Sequence, residues 1–230
     1  MTETNSPHTS RRIPLWVKLI YTAFLCVLVP YYWHAYGPTN FLYFCDVALF
    51  CTLIALWTEK SLWASMATVG ILMPQILWMV DFLAGCVGVR LTGMTDYMFN
   101  ENLSLFTRGL SFFHFWLPLL LVWIVVRLGY DRRAWAAWTA LAWGLLLICY
   151  FVMPPPPVPT NNPNQPVNIN YVYGMSDQAA QTWMPPLAWL SLLLFGMPMC
   201  IFLPTHLALR YLVSPCLAVP PGQTANGLLN

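Results

Sequence analysis

Six apolar stretches, 13–33, 38–57, 62–84, 109–128, 135–153 and 187–211, occupy most of this chain. Each comes close to the roughly 20 residues that a helix needs to cross about 30 Å of hydrocarbon. Hydrocarbon offers no water to unpaired backbone groups, so such stretches must satisfy their own N–H and C=O groups as helices. The fold class expected is all-α, a polytopic membrane bundle of six transmembrane helices. With 59% hydrophobic and 8% charged residues, the composition leaves too little polar surface for a soluble domain.

Six crossings put both termini on one side. With the amino terminus inside, eight of the ten Lys and Arg (Arg11, Arg12, Lys18, Lys60, Arg127, Arg132, Arg133, Arg210) are cytoplasmic and two (Arg90, Arg108) external. The expected layout is a cytoplasmic tail at 1–12, a membrane domain at 13–211 and a cytoplasmic tail at 212–230, as a multi-pass protein of the cytoplasmic membrane. Ser10-Arg11-Arg12 faintly resembles a twin-arginine export signal, but no small-x-small cleavage site follows, so the first span reads as an uncleaved anchor. The seven cysteines form no C-x-x-C, which points away from a zinc ribbon or a redox pair. The topology would allow a Cys86–Cys149 disulfide near the outer face. No cofactor motif is present. The net charge of +2 comes from the cytoplasmic flanks and gives no basis for a nucleic-acid partner, so the expected partners are membrane lipids.

An ionisable side chain in hydrocarbon is costly and should face the bundle interior with a partner. Counting about 1.5 Å per residue from the span ends places Cys45 and Asp46 roughly 10–12 Å below the outer boundary, Asp81 about 5 Å, Gln75 about 14 Å and His114 about 8 Å. These groups share one layer of the outer leaflet, with His34, Asn168, Asn170 and Tyr171 above it, and together they outline an outward-facing polar pocket. Pro118 lacks the N–H that the His114 carbonyl would accept from, and Pro74 does the same to Gly70, as suits helices around a cavity. His206, beside Arg210 near the inner end, reads as an interfacial residue. A Ser111–His206 dyad is excluded, because the two stand roughly 25 Å apart by helical rise.

Two external connections are long. The first, 85–108, reads as an ordered loop or a short interfacial helix around Thr95-Asp96-Tyr97. The second opens on Pro154 to Pro157, passes through residues 161–166 and continues as Asn168-Ile169-Asn170-Tyr171-Val172-Tyr173-Gly174. Its second half is either a lid over the bundle mouth or a linker with interfacial tyrosines.

The order Pro38 to Cys45-Asp46, then His114, then Asn170-Tyr171-Val172-Tyr173 and Trp183-Met184-Pro185 resembles the YwaF-like bacterial membrane proteins and their eukaryotic relatives, transmembrane acyltransferases that act on phospholipid acyl chains through a cysteine and a histidine. The resemblance spans Pro38 to about Leu194. It implies Cys45 as nucleophile and His114 as base, with Asn170 and Tyr171 lining the site. Pro38 stands further from the cysteine than in the family, with Asn40 and Tyr43 as the polar residues between, and the Lys-Pro that follows the family's Asn-Tyr is missing. On chemical grounds, a base that draws off the thiol proton lets the sulfur attack an ester carbonyl, and Asp46 or Asp81 would orient the imidazole.

Three other readings stand beside this one. His34, His114, Asp46 and Asp81 would suit zinc in a lipid hydrolase, although no local H-E-x-x-H spacing is present. Asp46, Asp81, Gln75 and His114 would also suit a solute site or a proton-linked pathway, although no inverted repeat is present. In the last reading Asp46 and Asp81 pair with His114 as a sealed network joining helices.

Overall fold

A computed structural model describes residues 13–157, 165–176 and 179–213. Ser10-Arg11-Arg12, Cys216 and residues 161–164 lie outside the described residues. Those described form helices and short turns, with no strand. In order they are α1 (Leu15–Tyr36), α2 (Phe44–Thr58), α3 (Ser61–Cys86), α4 (Leu105–Ser111), α5 (Phe113–Leu128), α6 (Ala134–Phe151), α7 (Pro186–Met197) and α8 (Leu203–Val213). A 3-10 turn at Pro38–Leu42 precedes α2, and a π turn at Pro198–Phe202 joins α7 to α8.

Five stretches among the described residues are long and apolar enough to cross a membrane: Leu15–Tyr36, Ser61–Cys86, Leu105–Leu128, Ala134–Phe151 and Pro186–Val213. The segment expected to be a single span at 38–57 departs from this pattern. Its α-helix has 15 residues and starts only at Phe44, because Tyr43 is extended (φ −62°, ψ 140°). A distant side chain takes up the backbone groups freed at this break. The Phe44 N–H donates to Asn170 Oδ1 (3.1 Å), and Asn170 Nδ2 donates to the Leu42 carbonyl (2.9 Å). A cap supplied from 126 residues away has no local sequence signature.

Two further departures have identifiable causes. The fourth span starts at Leu105 rather than Gly109, because Ser104 Oγ accepts from the Thr107 N–H (3.1 Å) and caps the helix. In the last span Pro198 has no N–H for the Leu194 carbonyl. The Trp143 indole donates to that carbonyl instead (2.6 Å), and Trp135 Nε1 donates to the Pro198 carbonyl (3.3 Å).

Helix α3 is the axis of the bundle, packing most extensively against α5 and α2 and then against α6. Its buried face carries Ala64, Ala67 and Gly70, small residues that let neighbouring helices come close without a hydrophobic driving force. Gly70 is the extreme case. A Cβ there would lie 1.8 Å from Cε2 of the fully buried Trp138. We therefore expect Gly70→Ala to destabilise the protein by about 1–3 kcal/mol or more through overpacking. The control Gly144→Ala meets no atom within 4 Å and should leave thermal unfolding in detergent unchanged.

Candidate functional site

At the end of the bundle that carries the long loops, α1, α2, α3, α5, the π turn and two loops enclose a cavity of about 440 Å³. Cys45 and Asp46 enter it from the first turn of α2, Asn40 from the 3-10 turn before it, and His114 from the first turn of α5. Asn170 and Tyr171 close it from the second loop, with Tyr171 itself 43% exposed at the rim. Along α3 the lining runs from Gly70 to Trp78, a rise of about 12 Å. Six residues read from the sequence as site candidates thus meet in one space.

Asp46 is 3% exposed. Its Oδ2 accepts from Asn40 Nδ2 (3.4 Å) and from the Cys45 thiol (3.7 Å), while Oδ1 has no partner among the described residues. No Lys or Arg lines the cavity. His114 Nδ1 lies 2.7 Å from the Ser111 carbonyl. A carbonyl only accepts, so Nδ1 carries the hydrogen and Nε2 keeps its lone pair. The ring stacks on Trp78 with centroids 5.3 Å apart. The group that orients the imidazole is therefore the Ser111 carbonyl, not the expected Asp46 or Asp81.

Asp81 lies elsewhere. Its carboxylate accepts from the backbone N–H groups of Thr92 (2.7 Å), Gly93 (3.3 Å) and Thr95 (3.0 Å) and from Thr95 Oγ1 (2.6 Å). It ties the first long loop to α3 and does not line the cavity. Gln75 is also absent from the lining. It is buried, and neither of its amide atoms has a hydrogen-bond partner among the described residues. His34 is exposed at the end of α1. The four residues of the zinc reading are thus not brought together, and the described residues contain no cluster of three or more His, Cys, Asp or Glu. Neither do Asp46, Asp81 and His114 bond to one another as the sealed network requires. Cys86 and Cys149 are free thiols. Ser111 bonds to Tyr32 (2.8 Å) and His206 to Tyr130 (2.6 Å), as separate sites.

The described part of the second loop covers the cavity through Asn170 and Tyr171. Asn168 holds its turn, donating to the carbonyls of Gly174 (2.7 Å) and Ser176 (3.0 Å) and accepting from the Tyr173 N–H (3.0 Å). The Tyr173 hydroxyl donates to the carbonyls of Tyr150 and Met153, and Trp189 Nε1 donates to the Tyr171 carbonyl. Asn170 and Tyr171 are both left-handed, with φ of 56° and 59°. For a bulky residue such as Tyr171 that conformation is strained, and the surrounding bonds hold it.

Several lining residues were not singled out in the sequence: Tyr32, Tyr36, Trp78 and Tyr97, with Tyr43 noted only for its place near Cys45. Aromatic residues at span ends ordinarily mark the membrane interface, and that reading conceals these. The Tyr97 hydroxyl accepts from Trp78 Nε1 (3.2 Å), and burial pushes its phenol above the usual range, so it stays protonated at neutral pH. Comparison of the chain with protein-family models, with curated proteins and with solved structures returns no match.

Two substitutions test this layout. Asp81→Ala should speed amide exchange at Thr92 and Thr95 and cost about 1–3 kcal/mol, chiefly the penalty for stranding the buried Thr95 donors. The cavity lining should be unaffected. Asn170→Ala removes the cap on α2 and tolerates the left-handed backbone poorly, so the second loop should become markedly more sensitive to limited proteolysis.

Proposed function

We propose that this is a six-pass membrane protein with both termini in the cytoplasm, whose outward-facing cavity acts on lipid acyl groups as a thiol-dependent acyltransferase or hydrolase. One observation carries the reading: Cys45, His114, Asn170 and Tyr171, which come from widely separated segments, line the same cavity. The sixth pass is α2 together with its 3-10 turn. Fifteen residues at about 1.5 Å and five at about 2.0 Å sum to roughly 32 Å. The orientation is supported by the gathering of basic flanks at the end opposite the cavity, where Lys18 pairs with Glu59 (2.6 Å) and His206 meets Tyr130.

In this reading His114 Nε2 takes the Cys45 thiol proton and the thiolate attacks the ester carbonyl. The alcohol then leaves with the proton from His114, and water or a second lipid alcohol releases the acyl group from Cys45. Negative charges on Asp46 and on the sulfur would repel each other at 3.7 Å, so Asp46 is neutral or charge-paired when the thiolate forms. A second, non-enzymatic reading, a binding site, is favoured by the unpaired Asp46 oxygen and the aromatic lining.

Incubation with an alkyne-tagged phospholipid, followed by hydroxylamine release, separates the two. The thiol reading expects label on Cys45, none in Cys45→Ala, and a loss of about 10²–10⁴-fold in rate in His114→Ala. If Cys45→Ala remodels lipid as the wild type does, the thiol mechanism is wrong.

A further inference from the structure

We propose that the cavity binds an organic ammonium group, specifically an N-methylated one, seated between the Asp46 carboxylate and the tyrosine walls. The inference names a ligand for the cavity of the preceding reading and is independent of whether acyl chemistry takes place there.

The argument starts from Asp46. A carboxyl held 97% out of solvent inside a membrane bundle is costly as an isolated charge, so it is either protonated or paired with a cation, and a cationic ligand is what would stabilise its ionised form. Its two contacts, with Asn40 and Cys45, are long and fall on the same oxygen. Oδ1 has no partner among the described residues, and no Lys or Arg shares the cavity. His114 Nδ1 is engaged with the Ser111 carbonyl, and no bond joins its ring to Asp46 among the described residues.

Much of the remaining wall is aromatic, with Ile71, Pro74, Met94, Met197 and Ile201 beside the rings. Tyr32 and Tyr36 stand with rings at 88° and centroids 5.2 Å apart, forming a corner, and Tyr43, Trp78 and Tyr97 contribute further to the lining. Ring faces attract cations, and aromatic boxes are a recurring solution for methylated ammonium groups. The lining also sets the degree of methylation. A primary ammonium carries three N–H donors that must each find an acceptor when it leaves water, and the cavity lining is mainly apolar. An N-methylated head presents carbon to the rings and needs only the one carboxylate. Such a group arrives either as a free solute or as the headgroup of a lipid.

The test uses the full chain carrying Cys45→Ser, in maltoside detergent, so that turnover cannot interfere and failure of the acyl reading leaves the result intact. Binding is measured by calorimetric titration with choline, with its uncharged isostere 3,3-dimethylbutanol, and with dihexanoyl phosphatidylcholine against dihexanoyl phosphatidylglycerol. The expected result is saturable binding of an ammonium probe, at least tenfold tighter than its uncharged or anionic counterpart and at least tenfold weaker in Asp46→Asn. Tyr36→Leu should weaken it by about 3–30-fold, as expected for loss of a cation–π wall, and Tyr36→Phe should not. These Tyr36 variants carry the test if Asp46→Asn fails to fold. Binding of choline itself identifies a free solute, and binding of phosphatidylcholine alone identifies a lipid headgroup. Equal affinity for charged and uncharged probes, no effect of either substitution, or no binding of any probe overturns the proposal.

Discussion

The site depends on one long-range cap. Asn170 bonds to the Phe44 N–H and to the Leu42 carbonyl, the two backbone groups that a 3-10 turn meeting an α-helix would otherwise leave bare in an apolar setting. Breaking the helix here brings Cys45 and Asp46 into the first turn of α2 facing the cavity, instead of the middle of a continuous span. The same side chain fixes the covering loop, so the roof and the wall of the cavity are set by a single amide. That amide sits on a left-handed residue followed by a second, and the strain is borne by the network of Asn168, Tyr173 and Trp189 around it.

Much of this was legible in the chain. Apolar length alone gave an all-helical membrane bundle, and depth counting placed Cys45, Asp46 and His114 in a common layer with Asn170 above it. Depth counting could not supply azimuth, which is why Asp81 and Gln75 were assigned to the cavity. Asp81 sits in the right layer but turns toward the loop, where four donors from Thr92, Gly93 and Thr95 converge on it. The orienting partner of His114 was missed because it is a main-chain carbonyl, which leaves no trace in residue identity. The tyrosine walls were missed because interfacial and cavity-lining aromatics have the same composition.

The polar groups of this bundle fall into two classes that cost very different amounts. Asp81, Asn168 and Asn170 are fully engaged by backbone partners and act as fasteners. Asp46 and Gln75 are buried with atoms unengaged, and a bundle with no other use for them would be more stable with apolar residues in their place. Asp46 faces the cavity, where the proposed ammonium ligand would offset that cost; Gln75 does not, and nothing in the structure explains it.

The π turn at Pro198 is where α6 holds the last span. Two indoles on α6, Trp135 and Trp143, donate to the carbonyl of Pro198 at the start of that turn and to that of Leu194 one turn before it, and in hydrocarbon no water competes for those bonds. The seam between α6 and the last helix is thereby stitched shut. By contrast α1 leans on the bundle chiefly through the 3-10 turn and α2, and near the cavity its polar ties are the hydroxyl pairs Tyr31–Thr107 and Tyr32–Ser111. The last span is thus tied to α6 by indole-to-carbonyl bonds, whereas α1 meets α4 near the cavity through pairs of hydroxyls.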